Sequence, residues 1–316
     1  MKDIDREDIQ IIAQHSNWSE RSIQKILNTQ VYHDKTSWQQ FLRLFFMSLG
    51  VGFTIAGIIF FFAYNWASMH KFFKLGLIEG GILLLTLVLV VAKIPLDIKK
   101  IILTGVSVLV GVLFAVFGQI YQTGANAYDF FLGWTMAIVI WVVISNFAPL
   151  WLVFITLINT TLILYAEQVA QDWSEIFVFA LLFCINALFL IAFLLVKKIN
   201  EHISVPSWFT NVLALAVVFF STVGIATGIF ERNSEAFWVL LLLATGLYGI
   251  GVRYGLKERS VFYLSIIAFS CIIVCCALLL KITDGEGMFF FLSLFVIASV
   301  SVVIKTLTDL KKKWKN

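Results

Sequence analysis

The chain has 316 residues, 60% of them hydrophobic and only 13% charged, with a formal net charge of +4 and a mean hydropathy of +0.94. Soluble domains carry about 25% charged residues, so this composition cannot cover a water-facing surface, and a soluble enzyme or binding domain is excluded. The 31 phenylalanines suit a surface that faces lipid.

Run length separates a membrane protein from a soluble one with an outsized core. Val212–Phe230 and Val261–Leu280 each run without a charge for the ~18 residues or more that a spanning helix needs. In lipid, segments this apolar satisfy their backbone N–H and C=O groups only as helices. The fold class expected is therefore all-α, a polytopic transmembrane bundle.

The first forty residues are polar, and the first apolar run is long enough to span, so a cleavable signal peptide is not expected. Residues 1–40 read as a cytoplasmic helical appendage. Ile4, Ile9, Ile11 and Ile12 supply apolar positions for one helix, and Asn17 with Glu20 forms a capping pair for a second, whose face is Ile23, Ile26 and Leu27. Five Lys or Arg stand against six Asp or Glu in this segment. A nucleic-acid reader is basic, so no nucleic-acid partner is expected, and docking beneath the membrane part is favoured.

Ten spans follow, at about 41–64, 72–92, 101–121, 129–146, 148–167, 175–196, 208–230, 236–254, 260–280 and 288–305. The weakest boundary is Asn146-Phe147-Ala148-Pro149, whose Asn and Pro suit a tight turn. The organisation expected is an appendage (1–40), a first set of five spans (41–167), a second set (168–305) and a basic tail (306–316).

Lys and Arg set the orientation. With a cytoplasmic N-terminus, the inside segments hold Lys93, Lys99, Lys100, Lys197, Lys198, Arg253, Lys257 and Arg259. The tail adds Lys305, Lys311, Lys312, Lys313 and Lys315. The outside loops hold only Lys71, Lys74, Arg232 and Lys281, besides the acidic Glu167, Asp172 and Glu175. Both termini are then cytoplasmic. Tyr64, Trp66, Tyr121, Tyr128, Tyr165, Trp173 and Trp238 fall at the outer boundary as an aromatic belt, and Pro95, Pro149 and Pro206 all lie in inside loops.

The four cysteines, Cys184, Cys271, Cys275 and Cys276, sit in apolar runs without the spacing of a zinc site or a haem attachment. They read as packing residues, and neither a metal nor another cofactor is expected. In spans six to ten the polar content is Asn186, Asn211, small hydroxyls and glycine. Gly224 with Gly228, and Gly251 with Gly255, have the spacing that lets helices approach.

The first half carries the unusual chemistry. Phe62-Ala63-Tyr64-Asn65-Trp66 closes the first span, and His70, Lys71 and Lys74 follow. Glu79 lies about 10 Å deeper than the outer surface, at 1.5 Å per residue. It is the one carboxylate clearly inside a span, and an ionisable group there is a functional candidate, with a structural pairing to Lys74 or a neighbouring amide, or protonation in a protein interior, as the alternatives. Gly76, Gly80 and Gly81 flank it, leaving room for another helix or a ligand. The third span ends in the amide- and phenol-rich run Gly118–Asp129. Asn65, Trp66, Lys74, Glu79, Gln119, Tyr121, Gln122, Asn126 and Asp129 are the candidate ligand-binding residues. For the amides, an ordered loop that satisfies its own backbone is the competing account.

The acidic-start helices, the Ala63-Tyr64-Asn65-Trp66 sequence after a Gly-rich span and the Gly118–Asp129 run resemble the bacterial membrane-protein family called domain of unknown function 2157, over about residues 5–150. The resemblance implies a bacterial inner-membrane location and other uncharacterised envelope membrane proteins as partners. It implies no catalytic residues, because the family has no established activity.

Three functions compete. A non-enzymatic membrane subunit with an outward-facing polar site for a partner or small envelope ligand explains why the unusual residues sit on one side of one half. A secondary transporter or channel needs polar groups through the whole thickness, and Glu79 alone falls short. A lipid- or glycan-modifying enzyme would have only His70, Glu79 and Asp129 as acid–base groups, with no recognisable catalytic set. The residues favour the first.

Overall fold

The structure is a computed structural model and describes residues 9, 12, 13, 15, 18–27, 35–65, 67–121, 124–199, 205–231, 235–282 and 288–315. These form eleven helices and no strand. Ten of the helices are long and apolar enough to cross a membrane, in the places where uncharged runs predict them. The chain divides into two compact units, 1–121 and 122–316.

In the first unit, helix α1 (Glu20–Ile26) opens at Ser19, whose hydroxyl accepts the Ser22 N–H at 3.3 Å. The cap is therefore Ser19, three residues ahead of the N–H it receives, and not Asn17, which lies outside the described residues. Glu20 in the first turn and Lys25 in the last suit the helix dipole. Ile23, Ile26 and Leu27 are half-buried while the rest of α1 is exposed, so the expected face is present. Of the apolar positions expected for an earlier helix, Ile4 and Ile11 lie outside the described residues, Ile9 is helical and buried, and Ile12 is helical but exposed.

Helix α2 (Lys35–Asn65) has 31 residues, ~46 Å at 1.5 Å each. That exceeds the ~30 Å of hydrocarbon, so the helix starts ahead of the span predicted from residue 41. Helices α3 (Lys71–Val91) and α4 (Leu96–Tyr121) follow. Phe62 of α2, Leu75 and Ile78 of α3 and Val116 of α4 form one buried cluster, which ties the ends of the first three spans together. Further along, α2 crosses α4 at Gly105, where a Cβ would stand 2.5 Å from Val51 Cγ1. Only a residue without a side chain fits that approach.

The second unit begins with α5 (Ala127–Ser145) and α6 (Ala148–Gln168). The two-residue link between them works because Asn146 takes the left-handed conformation (φ 44°, ψ 51°), which Asn tolerates better than most residues. Pro149 sits in the first turn of α6, where its missing N–H costs nothing. Helices α7 (Glu175–Ile199), α8 (Ser207–Phe230), α9 (Glu235–Lys257), α10 (Val261–Ile282) and α11 (Met288–Lys315) complete the unit.

Helix α8 is its centre, with Phe209, Leu213, Val217, Ile225 and Ile229 in the main hydrophobic core beside residues of α6, α7, α9 and α10. Gly224 and Gly228 let the neighbours in. A Cβ on Gly224 would lie 2.6 Å from Leu240 and 2.8 Å from Phe179, and one on Gly228 would lie 2.3 Å from Phe237. Gly251 and Gly255 likewise meet Ile267 and Leu264. The basic tail is a continuation of α11, and the Arg259 guanidinium donates to the Trp314 carbonyl at 2.8 Å.

Candidate functional site

The candidate residues from Asn65 to Tyr121 belong to the first unit. Trp66 and Gln122 lie outside the described residues. Asn65 ends α2 and is occupied locally: its Nδ2 donates to the Phe61 carbonyl at 2.9 Å, and its own carbonyl accepts the Ser68 hydroxyl at 3.0 Å. Tyr121, the last residue of α4, packs its ring on Phe117 at 4.6 Å between centroids. The Lys71 ammonium lies 5.9 Å from the Tyr121 ring and 5.3 Å from that of Phe72, within reach of a cation–π attraction. Gln119, two residues before Tyr121, is exposed.

Lys74 and Glu79 share α3 but not a face. Five residues at 3.6 per turn place them about 140° apart. Lys74 is buried beside Leu75 and Ile78, while Glu79 is exposed. The sequence alternative, an ion pair between them, is thus excluded by helix geometry. Glu79 makes no hydrogen bond or ion pair among the described residues.

The glycines around Glu79 leave open space. A Cβ on Gly76, Gly80 or Gly81 would meet nothing within 4 Å among the described residues. Phe72, Gly76, Glu79, Gly80, Leu83 and Leu87 form an exposed stripe along α3, set by the i, i+3, i+4 repeat of one helix face. Glu79 stands eight residues below Lys71, about 12 Å along the axis. A charged group at such depth costs about 3 kcal/mol or more if it faces acyl chains.

In the second unit the candidate amides have a different duty. Asn126 and Asp129 form the capping box of α5, in which the Asp129 carboxylate accepts the Asn126 N–H at 3.2 Å. Gln168, which the sequence reading missed, reaches across from α6 to accept the Tyr128 N–H at 3.1 Å. Tyr128, Tyr165, Trp173 and Phe177 stack edge to face in succession at 5.0–5.6 Å. This end is a knit collar in which an amide and a carboxylate satisfy backbone groups.

The interior polar groups of the second unit are also spent on each other. Asn159 and Asn186 exchange amide hydrogen bonds of 3.2 and 2.9 Å, and Asn186 also donates to the Leu182 carbonyl at 2.8 Å. Ser221, Tyr248, Ser270 and Thr222 form a chain of hydroxyls with links of 2.8, 2.7 and 2.5 Å, joining α8, α9 and α10. Ser221 and Thr222 further reach carbonyls of their own helix. Asn186 was visible as a polar residue in an apolar run. Its partner was not, because it lies 27 residues away on another helix.

No curated protein matches the chain. Residues 18–151 match the family described as predicted membrane protein (DUF2157), and that stretch runs from the cap of α1 through the first four spans into the start of α6. The matched family is the one that the Asn65-Trp66 and Gly118–Asp129 segments resemble.

Proposed function

We propose that the protein is a non-enzymatic subunit of a membrane assembly whose first unit offers a polar face, centred on Glu79, to a partner protein or small envelope ligand. One observation carries the reading: a carboxylate deep in a span is exposed and unpaired among the described residues, on a stripe whose glycines leave room for a close neighbour. Gln119, Tyr121 and Lys71 stand at the membrane-surface end of the same unit and extend the face. A transport path gains no support in the second unit, where the interior amides and hydroxyls bond to one another.

The reading places the protein in a bacterial inner membrane with both termini cytoplasmic. Support comes from the polarity of the second unit. One end of its helices carries Lys197, Lys198, Arg253, Lys257, Arg259, Lys305, Lys311, Lys312 and Lys313, against Glu258 and Asp309. The other end carries Glu167, Asp172, Glu175, Glu231 and Glu235, against Lys281. Such asymmetry marks the basic end as cytoplasmic. A cysteine placed beside Trp314 in a cysteine-free chain is expected to resist an impermeant external thiol reagent in whole cells; labelling there overturns the orientation.

The functional test compares Glu79→Gln and Glu79→Leu after extraction in mild detergent. Companions retained by the wild type should be kept in part by the Gln variant, which preserves an acceptor, and lost from the Leu variant. Both variants should melt with the wild type. Equal retention by all three removes Glu79 from the site.

A further inference from the structure

The ends of α8, α9 and α10 enclose a cavity of about 460 Å³ within the second unit. Ile225, Val274 and Leu278 wall its depth, and Glu231, Trp238 and Lys281 stand at its mouth. All three mouth residues lie at helix ends: Glu231 follows the last residue of α8, Trp238 is in the first turn of α9, and Lys281 is in the last turn of α10. That is the level of lipid headgroups, and Trp238, 67% exposed, is of the type that settles there.

The two charges at the mouth are not spent on each other. Lys281 donates one N–H to the Ile229 carbonyl at the end of α8, where a cation also suits the helix dipole. An ammonium has three N–H groups, so two are left without an acceptor among the described residues. The Glu231 carboxylate makes no hydrogen bond or ion pair among the described residues, although its backbone N–H continues α8 to Thr227. The mouth thus presents a cation and an anion side by side above an apolar interior.

We propose that this cavity binds a zwitterionic phospholipid of the ethanolamine type. Its phosphate takes the other two N–H groups of Lys281, its primary ammonium donates to Glu231, and the start of an acyl chain fills the space beside Ile225 and Leu278. A choline headgroup carries the same charges but no N–H, so it cannot make the charge-assisted hydrogen bond to Glu231. An anionic headgroup without an amine would satisfy Lys281 and leave Glu231 facing a like charge. A water-soluble zwitterion would leave the apolar walls uncovered. The site belongs to the second unit and does not depend on the role assigned to Glu79.

The full chain is reconstituted in vesicles containing equal phosphatidylethanolamine, phosphatidylcholine and phosphatidylglycerol, and the lipids it retains are read by native mass spectrometry. Retention of the ethanolamine lipid over the choline lipid is expected by about tenfold, the size of one charge-assisted hydrogen bond. Glu231→Gln should reduce that preference to within about twofold while the chain melts as wild type. Leu278→Trp, which fills the cavity, should lower retention of all three lipids. Equal retention of ethanolamine and choline lipids by the wild type overturns the proposal, as does an unchanged preference in Glu231→Gln or a preference for the glycerol lipid.

Discussion

Glu79 of the first unit and the interior polar groups of the second stand in contrast. In the second, Asn159 meets Asn186, and four hydroxyls from three helices close a chain on one another. In the first, Glu79 is exposed and makes no hydrogen bond or ion pair among the described residues, and a Cβ on the glycines beside it would meet nothing within 4 Å. Glycines fall into the same two kinds, though both kinds occur in each unit: Gly105, Gly224 and Gly228 are closely approached by neighbouring helices, whereas Gly76, Gly80, Gly246 and Gly249 are not. A polar group whose partner is at hand holds helices together. One without a partner among the described residues is costly to leave in lipid, which is the ground for the proposed outward-facing site.

The sharpest way to break this comparison is to put the same side chain on a glycine of each kind. Gly224→Val drives a branched side chain into Leu240 and Phe179, and is expected to cost about 3 kcal/mol, the upper end of overpacking, seen as a large fall in melting temperature in detergent. Gly80→Val, with nothing within 4 Å of its Cβ, should leave the melting temperature unchanged while weakening retention of companions. If Gly80→Val destabilises the isolated chain as Gly224→Val does, the two glycine classes collapse into one.

The amide pair gives the next effect. Asn186→Leu leaves the half-buried Asn159 without its partner and should cost about 1 kcal/mol, the low end of the penalty for an unsatisfied group. Replacing both asparagines by leucine should recover part of the loss, because no polar group is then left alone. A double variant no better than the single one would show that Asn159 draws on some other partner, and the pair would cease to be the counter-example to Glu79.

The last effect sharpens the comparison for the hydroxyl chain. Ser270→Ala removes the middle link to both Tyr248 and Thr222, which keep their other contacts. The expected cost is about 1 kcal/mol, in the range of single hydrogen bonds between membrane helices, measured as a modest fall in melting temperature with companion retention unchanged. Loss of companions without loss of stability would move the hydroxyl chain from the structural to the functional side.

Three of the candidate residues named from sequence, Asn65, Asn126 and Asp129, take part in local backbone hydrogen bonds. Asn126 and Asp129 are three residues apart at the start of a helix, and a capping box is what that spacing permits. Asn65 likewise turns back to the carbonyl four residues before it. The competing account of these amides, an ordered loop satisfying itself, fits them. Glu79 differs because a helix interior offers its side chain no unsatisfied backbone donor, so its state depends on what packs against α3.

Sequence by itself determined the number of spans and their places, because lipid leaves an apolar backbone no option but the helix and ~18 uncharged residues are needed to cross. It also exposed the tight turn at Asn146 and Pro149, whose effects are local to the backbone, and the glycine spacings of α8 and α9. It overshot in Asn17, where the cap is Ser19, and it placed the ends of α2 and α11 short, since charge ends a span but does not end a helix. Only the tertiary structure decided that Lys74 is buried and Glu79 exposed on one helix, that Asn186 answers Asn159, and that Glu231 and Lys281 share a cavity mouth. These are questions of which face meets which helix. Periodicity limits the faces available, but the choice among them is made by packing between residues distant in the chain.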